Sequence, residues 1–319
     1  MQIIPAADLP QAEQDAFVAA APMATFLHSR RYLEYHGDRF RDASLAVIDD
    51  AGKLTGLFPA ALAPDDARCV VSHPGLSYGG MLHTGGLKGP RMFDALQAVG
   101  RKFADAGMHS VRYKTVPSIY ASIPSDDDVH ALFRLGARRY RCDLLNTIDL
   151  ENRPSPSSRR KRGLKKAKKA GLDVRRGQEF LQGFWSVLAD TLARRHGVEP
   201  VHSADELLEL QARFPAEIEC IVAMSANEIV AGTVLFHTPQ VTHAQYIAAT
   251  PAGQAASALD LVFETCIDEA GTRGARYFDF GSSTEDGGRV VNEGLFKFKS
   301  EFGAGTVRHE FYEWDLRAL

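Results

Sequence analysis

The sequence is short of the residues that usually announce chemistry by themselves. Its four cysteines, Cys69, Cys142, Cys220 and Cys266, stand 46 to 78 residues apart, a spacing that fits neither a disulfide framework nor a zinc site. No run of 18 apolar residues is present, so no membrane-spanning helix is expected. The first residues carry Asp8, Glu13 and Asp15 and no basic leader, which is not the pattern of a secretory signal. His28, His36, His73, His109, His196, His237 and His243 are scattered without ligand spacing, and no metal is expected. No Cys–His or Ser–His pairing argues for a covalent enzyme intermediate. These absences describe a reduced, cytoplasmic protein with no tightly bound cofactor.

What is there is an internal echo. Ala106-Gly107-Met108-His109-Ser110-Val111-Arg112-Tyr113 recurs as Ala270-Gly271-Thr272-Arg273-Gly274-Ala275-Arg276-Tyr277. Each copy closes a helical pattern, over 94–106 and 258–270, and opens a strand. Upstream of each lies an alternating hairpin pattern. Leu45–Ile48 returns through Leu54–Phe58 in one half, and 220–224 returns through 229–236 in the other. A strand pair, a further strand, a helix and another strand, all present twice, predict two α/β units from a duplication. With 319 residues, two domains are the default. We place them at 1–150 and 151–319, with the last strand, 307–314, packing back on the first domain. Each domain is expected to be a mixed twisted sheet flanked by helices.

Net charge is −3, but its distribution is lopsided. From Arg159 to Lys169 eight of eleven residues are cationic. Taking +8 from −3 leaves −11 on the rest of the chain. No acidic residue interleaves to form i,i+4 pairs, and the run follows the linker Arg153-Pro154-Ser155-Pro156-Ser157-Ser158. A solvated helical face is the plain explanation, and a polyanionic ligand is the other: RNA, a nucleotide sugar or a pyrophosphate lipid. The basic helix is expected over 159–170, with Arg160, Arg162, Lys165 and Lys168 as phosphate ligands. A second candidate cradle is the strand–helix loop containing Gly253, Gln254 and Ser257, since a helix N-terminus presents free N–H groups to phosphate.

The C-terminal segment Tyr277-Phe278-Asp279-Phe280-Gly281-Ser282-Ser283-Thr284-Glu285, followed by Asn292-Glu293-Gly294-Leu295-Phe296-Lys297-Phe298-Lys299-Ser300-Glu301-Phe302-Gly303, resembles the FemAB family of the GNAT superfamily. The loop Pro74-Gly75-Leu76-Ser77-Tyr78-Gly79-Gly80 and the basic segment ahead of Gly171-Leu172 extend the resemblance over nearly the whole chain. It implies tandem GNAT-like domains and transfer of an aminoacyl or acyl group onto an amine. The implied donor is aminoacyl-tRNA or acyl-coenzyme A. The implied acceptor is an amine such as a cell-wall precursor peptide or amino sugar, in a form that can carry a nucleotide or pyrophosphate. GNAT enzymes hold the coenzyme A pyrophosphate in a loop reading Arg/Gln-x-x-Gly-x-Gly/Ala. Here that position reads Pro251-Ala252-Gly253-Gln254-Ala255-Ala256, which departs from the pattern, as does the lack of a coiled-coil arm after the basic segment. The tRNA donor is therefore placed first and acyl-coenzyme A second. A non-catalytic polyanion-binding module is the rival from another class.

The resemblance also implies a place for Lys299 beside the acyl carbonyl, where a fixed cation stabilises the developing oxyanion. If the segment is extended, Lys297 faces the other way and serves as a control. Asp279 and Glu285, read as lying just past a strand end, are candidates for general base or for orienting the amine. Ser77, Tyr78, Asn292 and Phe298 are expected to contact substrate, with Tyr78 lining the acceptor pocket.

Overall fold

The computed structural model describes residues 1–198, 200 and 202–319, without the side chains of Arg195 and His196. His196, among the histidines noted above, thus lies outside the described side chains. The chain forms two compact units. One comprises Met1–Leu144, Thr284–Val290 and Val307–Leu319, and the other Leu145–Ser283 and Val291–Thr306. The units divide at 144/145, six residues before the join expected at 150; Val307–Leu319 belongs to the first unit, as expected for the last strand, and Thr284–Val290 joins it there.

The first unit begins with β1 (Gln2–Pro5), the hairpin β2 (Leu45–Ile48) and β3 (Leu54–Phe58), then β4 (Ala61–Ala63), β5 (Asp66–Val71) and β6 (Leu82–His83). Strands β1, β2, β3 and β6 form a four-stranded sheet. Helix α1 is Gln11–Ala20 and α2 is Arg30–Leu33. A 3-10 stretch, Glu34–Arg39, follows α2 and bends at Gly37. Helix α3 (Pro90–Asp105) starts with Pro90 in its first turn, where a missing N–H costs nothing. It leads to β7 (Ser110–Lys114), which pairs parallel to β5 at Cys69↔Ser110 through Val71↔Arg112. Helix α4 (Asp127–Arg134) and strand β8 (Arg138–Asp149) follow. Met92, Leu96, Val99 and Phe103 of α3 pack with Val70, Val111, Tyr113, Leu132 and Trp314.

The second unit takes the end of β8, then α5 (Ser158–Lys169), β9 (Asp173–Arg176), α6 (Leu181–His196) and α7 (Ala204–Arg213). Ser203 and Glu206 form a capping box at the start of α7. Strands β10 (Ile218–Ser225) and β11 (Glu228–His237) make the second hairpin. Its turn residues, Ala226 and Asn227, both have positive φ, as a tight hairpin turn requires. Next come β12 (Val241–Ala249), α8 (Pro251–Ala256), α9 (Ala258–Thr272) and β13 (Tyr277–Ser282). The order across this sheet is β8-β13-β12-β11-β10-β9. β12 and β13 are parallel and joined through α9, as β5 and β7 are joined through α3. The repeated segments thus hold matching positions in the two units.

Two short strands, β14 (Thr284–Glu285) and β15 (Val290–Val291), precede α10 (Glu293–Ser300). The chain ends on β16 (Gly305–Asp315), which lies antiparallel to β7 with Phe311↔Lys114 in register. Residues 298–303, whose extended form would set Lys297 opposite Lys299, are instead the end of helix α10 and the turn that follows it.

Candidate active site

Three neighbouring strands of the second unit each place one polar side chain at the same level. Asp279 on β13 is in register with Thr147 on β8 and with His243 on β12. Side chains in register on adjacent strands share a face. Phe278 and Phe280 point the other way by the strand's two-residue alternation and join Phe263 and Phe302 in the core. Asp279 Oδ1 accepts from Thr147 Oγ1 at 3.0 Å and from Gly281 N at 3.0 Å, and its Oδ2 accepts from His243 Nδ1 at 2.9 Å. Burial alone would raise the Asp279 carboxyl, but the His243 ring and these donors hold it below the usual carboxylate range. An ionised Asp279 fixes the tautomer of His243 with the proton on Nδ1 and Nε2 as a base. Asp279 is fully buried, while the His243 side chain keeps 19% of its exposure.

The pairing of β12 with β13 runs from Val241↔Tyr277 to His243↔Asp279, and both strands then continue past it. His243 and Asp279 form the last of these pairs, the point at which the two parallel strands cease to be bonded to each other. β13 carries a bulge there. Asp279 pairs with Thr147 but Ser282 pairs with Leu145, so β13 has one extra residue. Such a bulge breaks the ladder and re-aims the backbone. Gly281 sits in it with φ +72°, and a Cβ there would stand 3.1 Å from His243 Cε1.

The carbonyls turned out of the ladder receive Lys299. Its Nζ donates to Gly281 O at 3.1 Å and to Ser282 O at 2.5 Å. Two of its three ammonium protons are thereby committed. Burial draws this ammonium down to about 8, with Asp279 acting in the opposite sense. Lys299 is 3% exposed and Lys297 is exposed. Two residues along a helix span about 200°, so the helix keeps the opposition that an extended chain would have given. Gly281→Ala should cost about 1–2 kcal/mol for a left-handed non-glycine residue. It should also lower turnover by crowding His243, as denaturant unfolding and initial rates would report.

The structure gives other expected site residues different work. Tyr78 is buried; its hydroxyl donates to Thr25 Oγ1 at 3.1 Å and its ring packs on His28 and Tyr120. Lys114 Nζ ties the preceding loop by donating to the carbonyls of His73, Pro74 and Leu76. Ser77 is exposed on that loop. Glu285 is exposed and belongs to the first unit. Asn292 caps α10, accepting from Leu295 N at 3.0 Å. Phe298 meets Phe263 and Phe302 edge-on in the aromatic cluster. Asp279 lies within β13 and not past its end, so His243, which the sequence reading set aside, is the accessible base of the pair.

Of the expected phosphate ligands, Arg162, Lys165 and Lys168 are exposed on α5. Arg160 is not. It is buried, with Nη1 3.0 Å from Asp260 and Nη2 3.0 Å from Glu301. Breaking such a pair typically costs about 3–5 kcal/mol, so Arg160 is an anchor and not a phosphate contact. At the other cradle, Gly253 N donates to Thr250 Oγ1 at 3.0 Å and Gln254 Nε2 to Ala249 O at 3.1 Å. Ser257 is the left-handed joint between α8 and α9. A Cβ on Gly253 would stand 2.0 Å from Val230 O, so packing on β11 is enough to require glycine.

Residues 157–290 match the family model described as an acetyltransferase (GNAT) domain. The chain carries a GNAT domain. The matched residues span α5, strands β10–β13, His243 and Asp279, and the description of the match is that of an acyltransferase. The fold is similar to that of FemX, a FemAB-family protein (TM-score 0.72, 14% identity, 100% of this chain and 98% of that one). It is also similar to a C-terminal domain named for lysylphosphatidylglycerol synthetase from Agrobacterium fabrum (TM-score 0.63, 12% identity, coverage 96% and 93%). A tandem GNAT protein from the clavulanic acid biosynthesis pathway has the same organisation (TM-score 0.54, 12% identity, coverage 99% and 98%). No curated protein sequence matches the chain. Among the described residues no helix is long and apolar enough to cross a membrane.

Proposed function

We propose that this GNAT protein moves an aminoacyl group from aminoacyl-tRNA onto a primary amine by direct displacement. The observation that carries the reading is the Thr147–Asp279–His243 row beside the β13 bulge that holds Lys299. The amine nitrogen attacks the ester carbonyl, forming a C–N bond as the carbonyl electrons move onto oxygen. His243 Nε2 accepts the amine proton, and Asp279 stabilises the resulting imidazolium. Lys299 offers its remaining N–H to the oxyanion. Collapse breaks the C–O bond to the ribose, and His243 returns the proton to the leaving oxygen. No covalent enzyme intermediate forms.

The donor assignment rests on α5. Seven of its eight cations, all but Arg160, are exposed on a helix of 12 residues, about 18 Å of polyanion-facing surface. The amine belongs to a cell-wall precursor peptide or amino sugar; a phosphate-linked acceptor is the form that the same basic surface would also favour. Acyl-coenzyme A is the second reading, favoured by the acetyltransferase description of the matched domain. Donor consumption separates the two: the protein should deacylate charged tRNA only when an amine pool is present, and should leave acetyl-coenzyme A intact. Consumption of acetyl-coenzyme A with charged tRNA untouched would reverse the order.

A pH dependence follows from Lys299. The cation is the useful form, and burial brings its titration to about 8. The rate constant kcat/KM should therefore fall as pH rises through about 8, and this alkaline limb should vanish in Lys299→Met.

A further inference from the structure

One cation of the basic run turns inward, and what it grips is the helix that carries Lys299. Arg160 Nη1 meets Asp260 Oδ1 of α9 at 3.0 Å, while Nε and Nη2 meet Glu301 Oε2 at 3.2 and 3.0 Å. Its guanidinium also lies over the rings of Phe298 and Phe302, at 4.4 and 4.8 Å from their centroids. Phe298 lies in the last turn of α10, Glu301 is its C-cap and Phe302 follows in the turn. The backbone reinforces the grip, with Ser157 N donating to Glu301 O at 2.8 Å and Arg153 Nε to Phe302 O at 3.0 Å. On its other side α10 is held by Lys299 on the carbonyls of Gly281 and Ser282.

We propose that Arg160 is a positioning residue that fastens the polyanion-facing helix α5 to α10, so that the donor's seat and Lys299 are held as one piece. The inference rests on the transferase reading above. A buried ion pair is poor value as a source of stability alone, because well-packed apolar residues of similar volume do as well or better. What a guanidinium adds is direction: a planar fork that bonds two carboxylates while stacking on aromatic rings, which a lysine cannot copy. Arg160 uses all of these at once, against two helices.

The test uses the full chain carrying Glu301→Gln or Arg160→Lys. Glu301→Gln is the cleaner variant, because Asp260 keeps its arginine and only the link to α10 is weakened. With the charged-tRNA donor, kcat should drop roughly tenfold or more, the scale of loss from a small misplacement of a reacting group, while donor KM stays within about twofold. The salt dependence of donor binding should not weaken, since Arg160 touches no phosphate and Arg159, 3.8 Å from Glu301 Oε2, remains an exposed cation. The alkaline limb should move upward from about 8, because a loosened α10 lets water reach Lys299 Nζ. Asp279 on β13 remains the charge acting on that ammonium. A purely stabilising residue would lower the melting temperature without moving the limb.

A folded Glu301→Gln with wild-type kcat and an unmoved limb overturns the proposal. So does a loss confined to donor KM and salt slope, which would make Arg160 a donor contact. Lys299→Met, run alongside, tells the two failures apart. If it turns over normally, the assignment of Lys299 has failed; if it is inactive while Glu301→Gln is normal, only the role of Arg160 has.

Discussion

Lys299→Met is expected to lower kcat by roughly 10²–10³, the loss typical of removing one oxyanion-stabilising donor, while Lys297→Met changes it little. The contrast is sharp because the two lysines lie on opposite sides of α10. Lys299 is buried on the β13 carbonyls and Lys297 is exposed. His243→Gln should cost a further roughly 10²–10⁴ as the loss of a general base, with Asp279 still held by Thr147 and Gly281. Initial-rate measurements on folded variants decide it. Equal and small losses from both lysine variants would remove Lys299 from the chemistry.

Reversing Arg162, Lys165 and Lys168 to Glu should weaken charged-tRNA binding by orders of magnitude. Each phosphate contact contributes about 0.7–0.9 to the log–log salt slope, so a handful of contacts gives a slope of several units, whereas one pyrophosphate gives a shallow one. Arg160 is left out of this set because its reversal would strand Asp260 and Glu301 without their buried partner. Acyl-coenzyme A affinity should barely change if its phosphates are seated at Gly253, Gln254 and Ser257. Fluorescence titrations at several salt concentrations read out both ligands. Tight, saturable acyl-coenzyme A binding without salt-sensitive tRNA affinity would reverse the donor ranking.

Local pattern carried a good part of the fold. The two hairpins, the helix before each repeated strand and the capped α7 all follow from residue periodicity and turn chemistry within short windows. The register across strands is different, and so is everything built on it. His243 sits in β12, whose parallel partner β13 pairs with it from 36 residues further along the chain, His243↔Asp279, so nothing local marked it as the neighbour of Asp279. A scattered histidine acquires chemistry only when β8, β13 and β12 line up Thr147, Asp279 and His243. The β13 bulge was likewise invisible, although Gly281 after an alternating run was the available hint. Arg160 shows the reverse case. Within the basic run it is indistinguishable from its neighbours, and only the tertiary arrival of Asp260 and Glu301 turns it inward. Lys299 was legible through family resemblance even though its segment is helical and not extended, because both geometries oppose it to Lys297.

The central claim is that His243, poised by Asp279, and Lys299 act on the same transfer step. Single-turnover aminoacyl transfer followed against pH, in wild type, His243→Gln and Lys299→Met, tests it most directly. The rate is expected to fall on an alkaline limb near 8 that is absent from Lys299→Met, and to be lowered strongly across the whole pH range in His243→Gln. Rates near wild type in both variants, with the alkaline limb retained in Lys299→Met, would contradict the assignment of this site.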